Sequence, residues 1–494
     1  MTTGEDVKKY MNIMALGLSM LNNNNVSYIK LKAVEGYGEI RKEIITQMDL
    51  AWDIDNDIFF SKIEIILNNI KQQDIPDRSI MAIEFCKWLD SKITYMEQEK
   101  NELGKRSYFS VYWLLPYKLK DYVEINALNS NWKETEIWIN PKYDIVEPYK
   151  VYNDGSKHKK KIANRDIFEG INGELTHCSY FIWDKKRYVK NIIISADIKN
   201  KITLAFSPLS DSKNIVEKKE THVEHDGILF KAIEISNINE KENILDRLKK
   251  DWMFACSMSA DIFFAPEILG TQLSEKNDDE YNELINNLAN ERLSKGEATP
   301  KITLLPSYWH NRHNIVTITN GEGQIMAHQE KHIPYIDKSN MTMEAIDEQD
   351  EWTTVLIHIP FIHRIAVVVC AEFLDDIQRI QKFICGSLGT TILIVPSFSK
   401  GEQDFVNTIS SLKQYGTSVI WGNCCGAIKT NEKAIGGCGI AGMPSTILFG
   451  NKCKCNYSCN NIDACVFKID IPLKFEINKQ ISKVVSHSLL KSNF

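Results

Sequence analysis

The spacing of apolar positions changes character twice along the chain. In the first hundred residues it follows a helical period. YGEIRKEIITQMDLAWD (37–53) and RSIMAIEFCKWLDSKITYMEQEK (78–100) place apolar side chains three and four apart, the pattern of amphipathic helices. From about Ser107 the texture turns to short aromatic and β-branched runs: YFSVYWLLPY, TEIWINP, CSYFIW, VKNIIISADI and KITLAFSPL. These predict strands.

A charged stretch follows, and residues 211–227 are expected to be a linker. Beyond it strand and helix patterns alternate to Ile471. ILFKAIEIS predicts a strand, ENILDRLKKDWMFACSMS an amphipathic helix and DIFFAPE a strand. DEYNELINNLANERLSK predicts a helix and KITLLPSYW a strand. NIVTITNGEGQIMAHQEK predicts a hairpin. Its turn falls at Asn320–Gly321, the dipeptide that two-residue hairpins prefer. Such alternation is the signature of an α/β domain. No repeat at solenoid or propeller spacing occurs.

At 494 residues the chain exceeds one ordinary core. With 43% hydrophobic and 25% charged residues it is globular in composition, and its net charge of −6 favours no polyanionic partner globally. The N-terminal segment MTTGEDVKKYMNIMALGLSML carries Glu5 and Asp6 against Lys8 and Lys9. With no small-residue cleavage site after it, it is expected to be an amphipathic helix rather than a signal peptide. No apolar run reaches membrane-spanning length. Twelve cysteines without a secretion signal point to a reducing, cytoplasmic setting with free thiols.

Three strand ends in the second half finish on chemically capable residues: DIFFAPE on Glu267, GQIMAHQEK on Lys331 and RIAVVVC on Cys370. Strand ends are where α/β sheets gather functional side chains. A thiol, a carboxylate and an ammonium form a complete set for acyl transfer. The thiol attacks, the carboxylate takes its proton, and the ammonium balances the developing oxyanion.

FFAPE, RHNIVTITNGEGQIMAHQEKHIP and IAVVVCAEF together resemble the three signature blocks of the nitrilase (carbon–nitrogen hydrolase) superfamily, in its order and spacing. TTILIVPSFSKG and SVIWGNCCG resemble its later strands, the second with Asn423 and Gly426 in an Asn-x-x-Gly stretch. The resemblance runs from Ile228 to Ile471. It implies a four-layer αββα sandwich, a homodimer or higher homo-oligomer, and cysteine attack on a small-molecule amide, carbamyl or nitrile carbon through a thioester. Carried over, Glu267 is the base, Lys331 the oxyanion partner and Cys370 the nucleophile. A second glutamate is implied after the lysine block. Glu344 fits by its distance from Lys331, ahead of Glu348 and Glu351. Ala371, Pro396, Ser397 and Asn423 are the implied oxyanion and substrate-binding positions. The chain departs from the family in having Ala371 rather than an aromatic residue after the cysteine, and Cys438–Gly439 where a Gly-x-Ser block would stand. No cofactor and no metal are required by this chemistry. An acceptor other than water would make the same residues an acyltransferase.

Other motifs read as structural. Cys453, Cys455, Cys459 and Cys465 are spaced too tightly and irregularly for paired zinc knuckles. Asp53, Asp55, Asp57 and Glu64 fall at calcium-loop spacings, but Ile58 replaces the required glycine, so helix capping is the expectation. Histidines 310, 313, 328 and 332 should be scattered by strand alternation. The basic runs KHKKKIANR and DKKRYVK are expected to be solvated loops.

The expected organisation is a separate α+β domain over 1–210 with no recognised family, the linker 211–227, a hydrolase domain over 228–475 and a tail over 476–494. The alternative function is a sensor or assembly module, of the kind found in bacterial anti-phage defence, whose N-terminal domain binds a protein or nucleic acid.

Overall fold

The computed structural model of the chain describes residues 17, 32–51, 56–101, 117–118, 136–141, 178–183, 187–194, 201–212, 214–271, 278–347, 352–359, 363–374, 383–386, 388–401, 403–412, 417–429, 439–442, 447–449, 462–472 and 485–491. KHKKKIANR, Asp53, Asp55, Glu348, Glu351, Cys438, Cys453, Cys455, Cys459 and all of the N-terminal segment but Gly17 lie outside them. The structure is mixed α/β and divides into two compact units. One holds residues 1–187 with 383–389, the other 188–382 with 390–494.

In the first unit, α1 (Tyr37–Ala51), α2 (Asn56–Gln72) and α3 (Ile75–Asn101) carry the apolar stripes. Ile44, Met48, Ile63, Ile70, Ile80 and Phe85 are fully buried. Glu84, also buried, accepts hydrogen bonds from Tyr37, Arg41 and Lys87. This answers the cost of taking a carboxylate out of water. Asp57 and Glu64 of the calcium-like spacing both fall within α2. Strands β1 (Tyr117–Lys118), β2 (Glu136–Pro141) and β3 (Cys178–Trp183) form a small antiparallel sheet.

The second unit is built on two large sheets and a smaller one. Its elements are β4 (Arg187–Ile193), β5 (Lys201–Phe206), β6 (Val216–His225), β7 (Ile228–Ile238), α4 (Lys241–Ser257), β8 (Ile262–Phe264) and α5 (Asp278–Ser294). Then come β9 (Ile302–Leu304), β10 (Tyr308–His310), β11 (His313–Asn320), β12 (Ile325–Glu330), β13 (Ile336–Asp337), β14 (Thr342–Glu344), β15 (Trp352–Ile359) and β16 (His363–Val367). The series closes with β17 (Ile392–Ser397), α6 (Gln403–Leu412), β18 (Ser418–Asn423), α7 (Cys425–Lys429), β19 (Gly439–Gly442), β20 (Ile447–Phe449), β21 (Ile462–Pro472) and β22 (Val485–Lys491).

The eight-stranded sheet runs β10-β11-β9-β8-β5-β21-β22, with β12 paired to β11. The seven-stranded sheet runs β20-β19-β18-β17-β16-β15-β4, and the four-stranded one β13-β14-β7-β6. The runs IAV, ILIV and SVIW are β16, β17 and β18, parallel neighbours buried along their whole length. Continuous apolar strands belong where both faces are covered. Helix α4 buries Ile244, Leu248, Trp252 and Ala255, one stripe of its surface, in a core shared with Phe263 and Val466 of the eight-stranded sheet. On α6, Phe405 stacks on Trp421 of β18. The two large sheets meet at Gly422, where an added Cβ would lie 2.5 Å from Phe264 and 2.6 Å from Phe206. Gly422→Ala should therefore cost about 1–3 kcal/mol by overpacking. A thermal or urea melt would check this, and an unchanged midpoint would mean that the sheets part easily there.

Four expectations need correction. Residues 211–227 are not a linker. Most of that stretch is β6, antiparallel to β7, its charged side chains exposed along an edge strand. Charge there protects an edge from further pairing, and it looks like loop composition in a sequence. The boundary at 210 also fails, since β5 lies inside the eight-stranded sheet between β8 and β21. Residues 476–494 are not merely a tail, because β22 pairs with β21. The β11–β12 turn is not a two-residue one. It spans 321–324, with the Asn320 side chain accepting the Glu322 and Gln324 N–H groups and Gly323 at φ 78°. There glycine takes the left-handed backbone that closes the loop.

Candidate active site

Each chemically capable residue leaves its strand by a specific local device. After β8 the chain passes Ala265 and Pro266 to Glu267. Ile268 follows at φ 64°, its N–H held by the Ser307 hydroxyl at 2.8 Å. Lys331 follows β12, its N–H donating to the Asn314 carbonyl at 2.8 Å. Glu344 ends β14, which lies parallel to β7. After β16 the Val368 N–H still bonds to Ile394, and Cys370 then opens a single 3₁₀ turn (Cys370–Phe373) at φ 46°. A non-glycine residue in that region costs of order 1–3 kcal/mol and persists only where its surroundings enforce it.

The side chains converge. Lys331, fully buried, donates to Glu267 Oε1 at 2.9 Å and to Glu344 at 2.8 Å (Oε1) and 2.7 Å (Oε2). Glu267 is buried too. Its Oε1 also accepts Asn314 Nδ2 at 2.9 Å, and its Oε2 the Phe398 N–H at 3.1 Å. Glu344 also accepts the Tyr335 N–H at 2.7 Å. Cys370 is 5% exposed, and its thiol is buried within the electrostatic reach of Glu267, Lys331 and Glu344.

Two carboxyl groups, an ammonium and a thiol share this cluster, and each acts on the protonation of the others. Burial, followed by the negative charge of Glu267, pushes the Cys370 thiol well above the ordinary thiol range, although Lys331 opposes the shift. The resting group is therefore a thiol, not a thiolate. For Lys331, burial acts against the charge, but Glu267 and Glu344 overcome it and hold the ammonium firmly protonated. Burial, with the Glu267 charge behind it, raises Glu344 against the pull of Lys331.

The remaining implied positions separate. Ala371 lies in the 3₁₀ turn, buried. Pro396 sits opposite Gly422 and Ser397 opposite Asn423 at the ends of β17 and β18. The Ser397 hydroxyl is buried without a hydrogen-bond partner. Asn423 is tied to its turn: Oδ1 accepts the Ser399 N–H and Nδ2 donates to the Ser399 carbonyl, both at 2.8 Å. It fixes the turn that brings the Phe398 N–H to Glu267. The four histidines take separate partners: Asn311 for His310, Glu330 for His313, Thr317 for His328 and Glu372 for His332. No cluster of metal-ligating side chains occurs among the described residues, and no described helix is long and apolar enough to cross a membrane.

Asn314 is a further residue of the site. It lies near the start of β11, its side-chain amide donating to Glu267 and its backbone carbonyl accepting the Lys331 N–H. A buried asparagine on a strand adjoining the lysine strand was the only available signal.

No family model and no curated protein matches the chain. Among solved structures it is similar to an amidase from Nesterenkonia sp., at 13% identity and a TM-score of 0.36, over 57% of this chain and 95% of that one. A variant of the Nesterenkonia AN1 amidase, of the nitrilase superfamily, matches over 45% of this chain and 76% of that one, at 13% identity and a TM-score of 0.31. A glutamine-dependent NAD(+) synthetase from Cytophaga hutchinsonii matches over 58% of this chain at 10% identity and a TM-score of 0.32, and 42% of its own length is spanned.

Proposed function

We infer that the second unit hydrolyses a non-peptide carbon–nitrogen bond, most simply an amide, through a cysteine thioester. The observation that carries this reading is the hydrogen-bonded set of buried Glu267, buried Lys331 and half-buried Glu344, with the Cys370 thiol buried in their electrostatic reach.

Because the resting sulfur is protonated, attack and deprotonation belong together. Sγ bonds to the carbonyl carbon as its proton passes to Glu267. The oxyanion is balanced by Lys331 and the backbone N–H of Ala371. Collapse breaks the carbon–nitrogen bond, and Glu267 returns the proton to the leaving amine. Water, deprotonated by Glu267, then cleaves the thioester. A carboxylic acid leaves and the thiol is restored, so amide plus water gives acid plus amine. Glu344 keeps Lys331 charged and aimed. In this reading the two large sheets with their outer helices form the αββα sandwich. The protein acts on a small molecule, as a homo-oligomer in the reducing cytoplasm.

Alkylation by iodoacetamide, mapped by peptide mass spectrometry across neutral pH, tests the reading. With Glu267 as base, Cys370 should react fastest among the cysteines, with only a shallow rise with pH. In Glu267→Gln the reaction needs free thiolate and should rise about tenfold per pH unit. Equal slopes in the two proteins would remove Glu267 as the base and the reading with it.

A further inference from the structure

We propose that Glu372 is a positioning residue, which through His332 locks the nucleophile turn to the lysine strand. This rests on the hydrolase reading for its consequence, though not for its geometry.

Lys331 and Cys370 belong to different sheets. The lysine follows β12 of the eight-stranded sheet, and the cysteine follows β16 of the seven-stranded one. Sheet-on-sheet packing is apolar and sets no fine register, whereas catalytic groups must be held within about half an ångström. Polar links between the sheets flank Lys331 on both sides. On one side is Gln329, whose amide accepts the Val355 N–H at 2.8 Å and donates to the Thr353 carbonyl at 3.2 Å, so that it acts as an extra rung on β15. On the other is His332. Its ring stacks on Trp352 of β15 with centroids 5.1 Å apart at 16°, and its Nδ1 pairs with Glu372 Oε1 at 3.1 Å. The same oxygen accepts the His332 backbone N–H at 3.3 Å. Both side chains are buried, at 4% and 8% exposure.

Glu372 lies two residues past the nucleophile, in the 3₁₀ turn that Cys370 enters in a left-handed conformation. A turn with that strain relaxes unless it is pinned. Gln329 holds the lysine strand to β15 alone. The contact between Glu372 and His332 reaches the nucleophile turn itself, so it fixes the thiol relative to Lys331 and to the Glu267 that Lys331 holds.

The test uses the full chain with Glu372→Met and His332→Phe, singly and combined. Met matches Glu372 in length but has no carboxylate oxygen for either His332 N–H, and Phe keeps the stack on Trp352 without the ring nitrogen, with thermal melting as the control for folding. Positioning predicts that each variant loses about tenfold in Cys370 alkylation at neutral pH and acquires the steep pH dependence of Glu267→Gln. The combined variant should be no worse than either single one, because one link is broken in all three. Hydrogen exchange of residues 369–374 should quicken in each. A lowered melting point with the wild-type pH slope would make the pair merely structural and overturn the proposal, as would unchanged exchange in the turn. If wild-type Cys370 itself shows no dependence on Glu267, the hydrolase reading falls, and hydrogen exchange alone decides whether the link exists.

Discussion

Lys331→Met should destabilise the second unit by about 3–5 kcal/mol, the usual cost of removing one partner from a buried charge cluster. Methionine matches the lysine stem in length and fills its space, so the loss is electrostatic. Glu267 and Glu344 both contact the ammonium, which is fully buried. Without it they face one another as two carboxylates, and burial already raises Glu344. The penalty should depend on pH with a definite sign. Burial and the loss of the ammonium both act against a charged Glu344, so the variant should be weakest at the higher pH. As pH falls, protonation of one carboxylate removes the repulsion, and the gap from wild type should narrow. Urea melts of both proteins at neutral and mildly acidic pH would check this. A gap independent of pH would mean that the loss is one of packing. On the proposed hydrolase reading, the same variant leaves the oxyanion unbalanced, so alkylation of Cys370 should persist while amide turnover is lost.

The second large effect lies outside that cluster. Asp251, on α4, is fully buried, accepting the Ser207 hydroxyl at 2.5 Å and the Cys465 N–H at 2.6 Å. Burial, only partly offset by those two hydrogen bonds, raises its carboxyl to about 7. The folded value lies above the unfolded one, so the protonated state is favoured by folding. This group's contribution is fully present below the unfolded value near 4, and is lost as pH rises through about 7. A shift of about three units corresponds to ~4 kcal/mol between the two limits. Asp251→Asn has no charge to bury and should remove that slope. Relative to wild type, the variant should be favoured at pH 8 over pH 5 by a few kcal/mol, read from melts at the two values. Parallel stability curves would show that Asp251 does not titrate on unfolding.

How much of this was legible in the sequence depended on whether the signal was local. Glu267, Lys331 and Cys370 each close a β-branched or apolar run, so residue type and strand end coincide within a few positions. Glu344 was within reach of a simple distance rule from Lys331. Their meeting could be anticipated because strand ends converge in α/β sheets. What the sequence hid was set by partners far away in the chain. β5 was assigned to the wrong domain because its neighbours, β8 and β21, lie about 60 and 260 residues further on. β6 was taken for a linker because an edge strand is charged for the same reason that a loop is. The role of Asn423 in holding the backbone of Ser399 is visible only once the turn is built. Nothing local marks Glu372, whose partner lies 40 positions earlier, beyond another strand.

The place of β21 also bears on synthesis. β5 emerges early, yet one of its two neighbours in the eight-stranded sheet is β21, antiparallel from Lys201–Pro472 to Phe206–Phe467. During translation β5 therefore waits, with one side open, until residues past 470 have left the ribosome. An unpaired apolar strand edge is a template for association with other chains. Nascent chains halted before β21 should be the aggregation-prone ones and the main clients of holding chaperones. Completion of the sheet, and with it the burial of Asp251 against the Cys465 N–H, is a late and nearly all-or-none event.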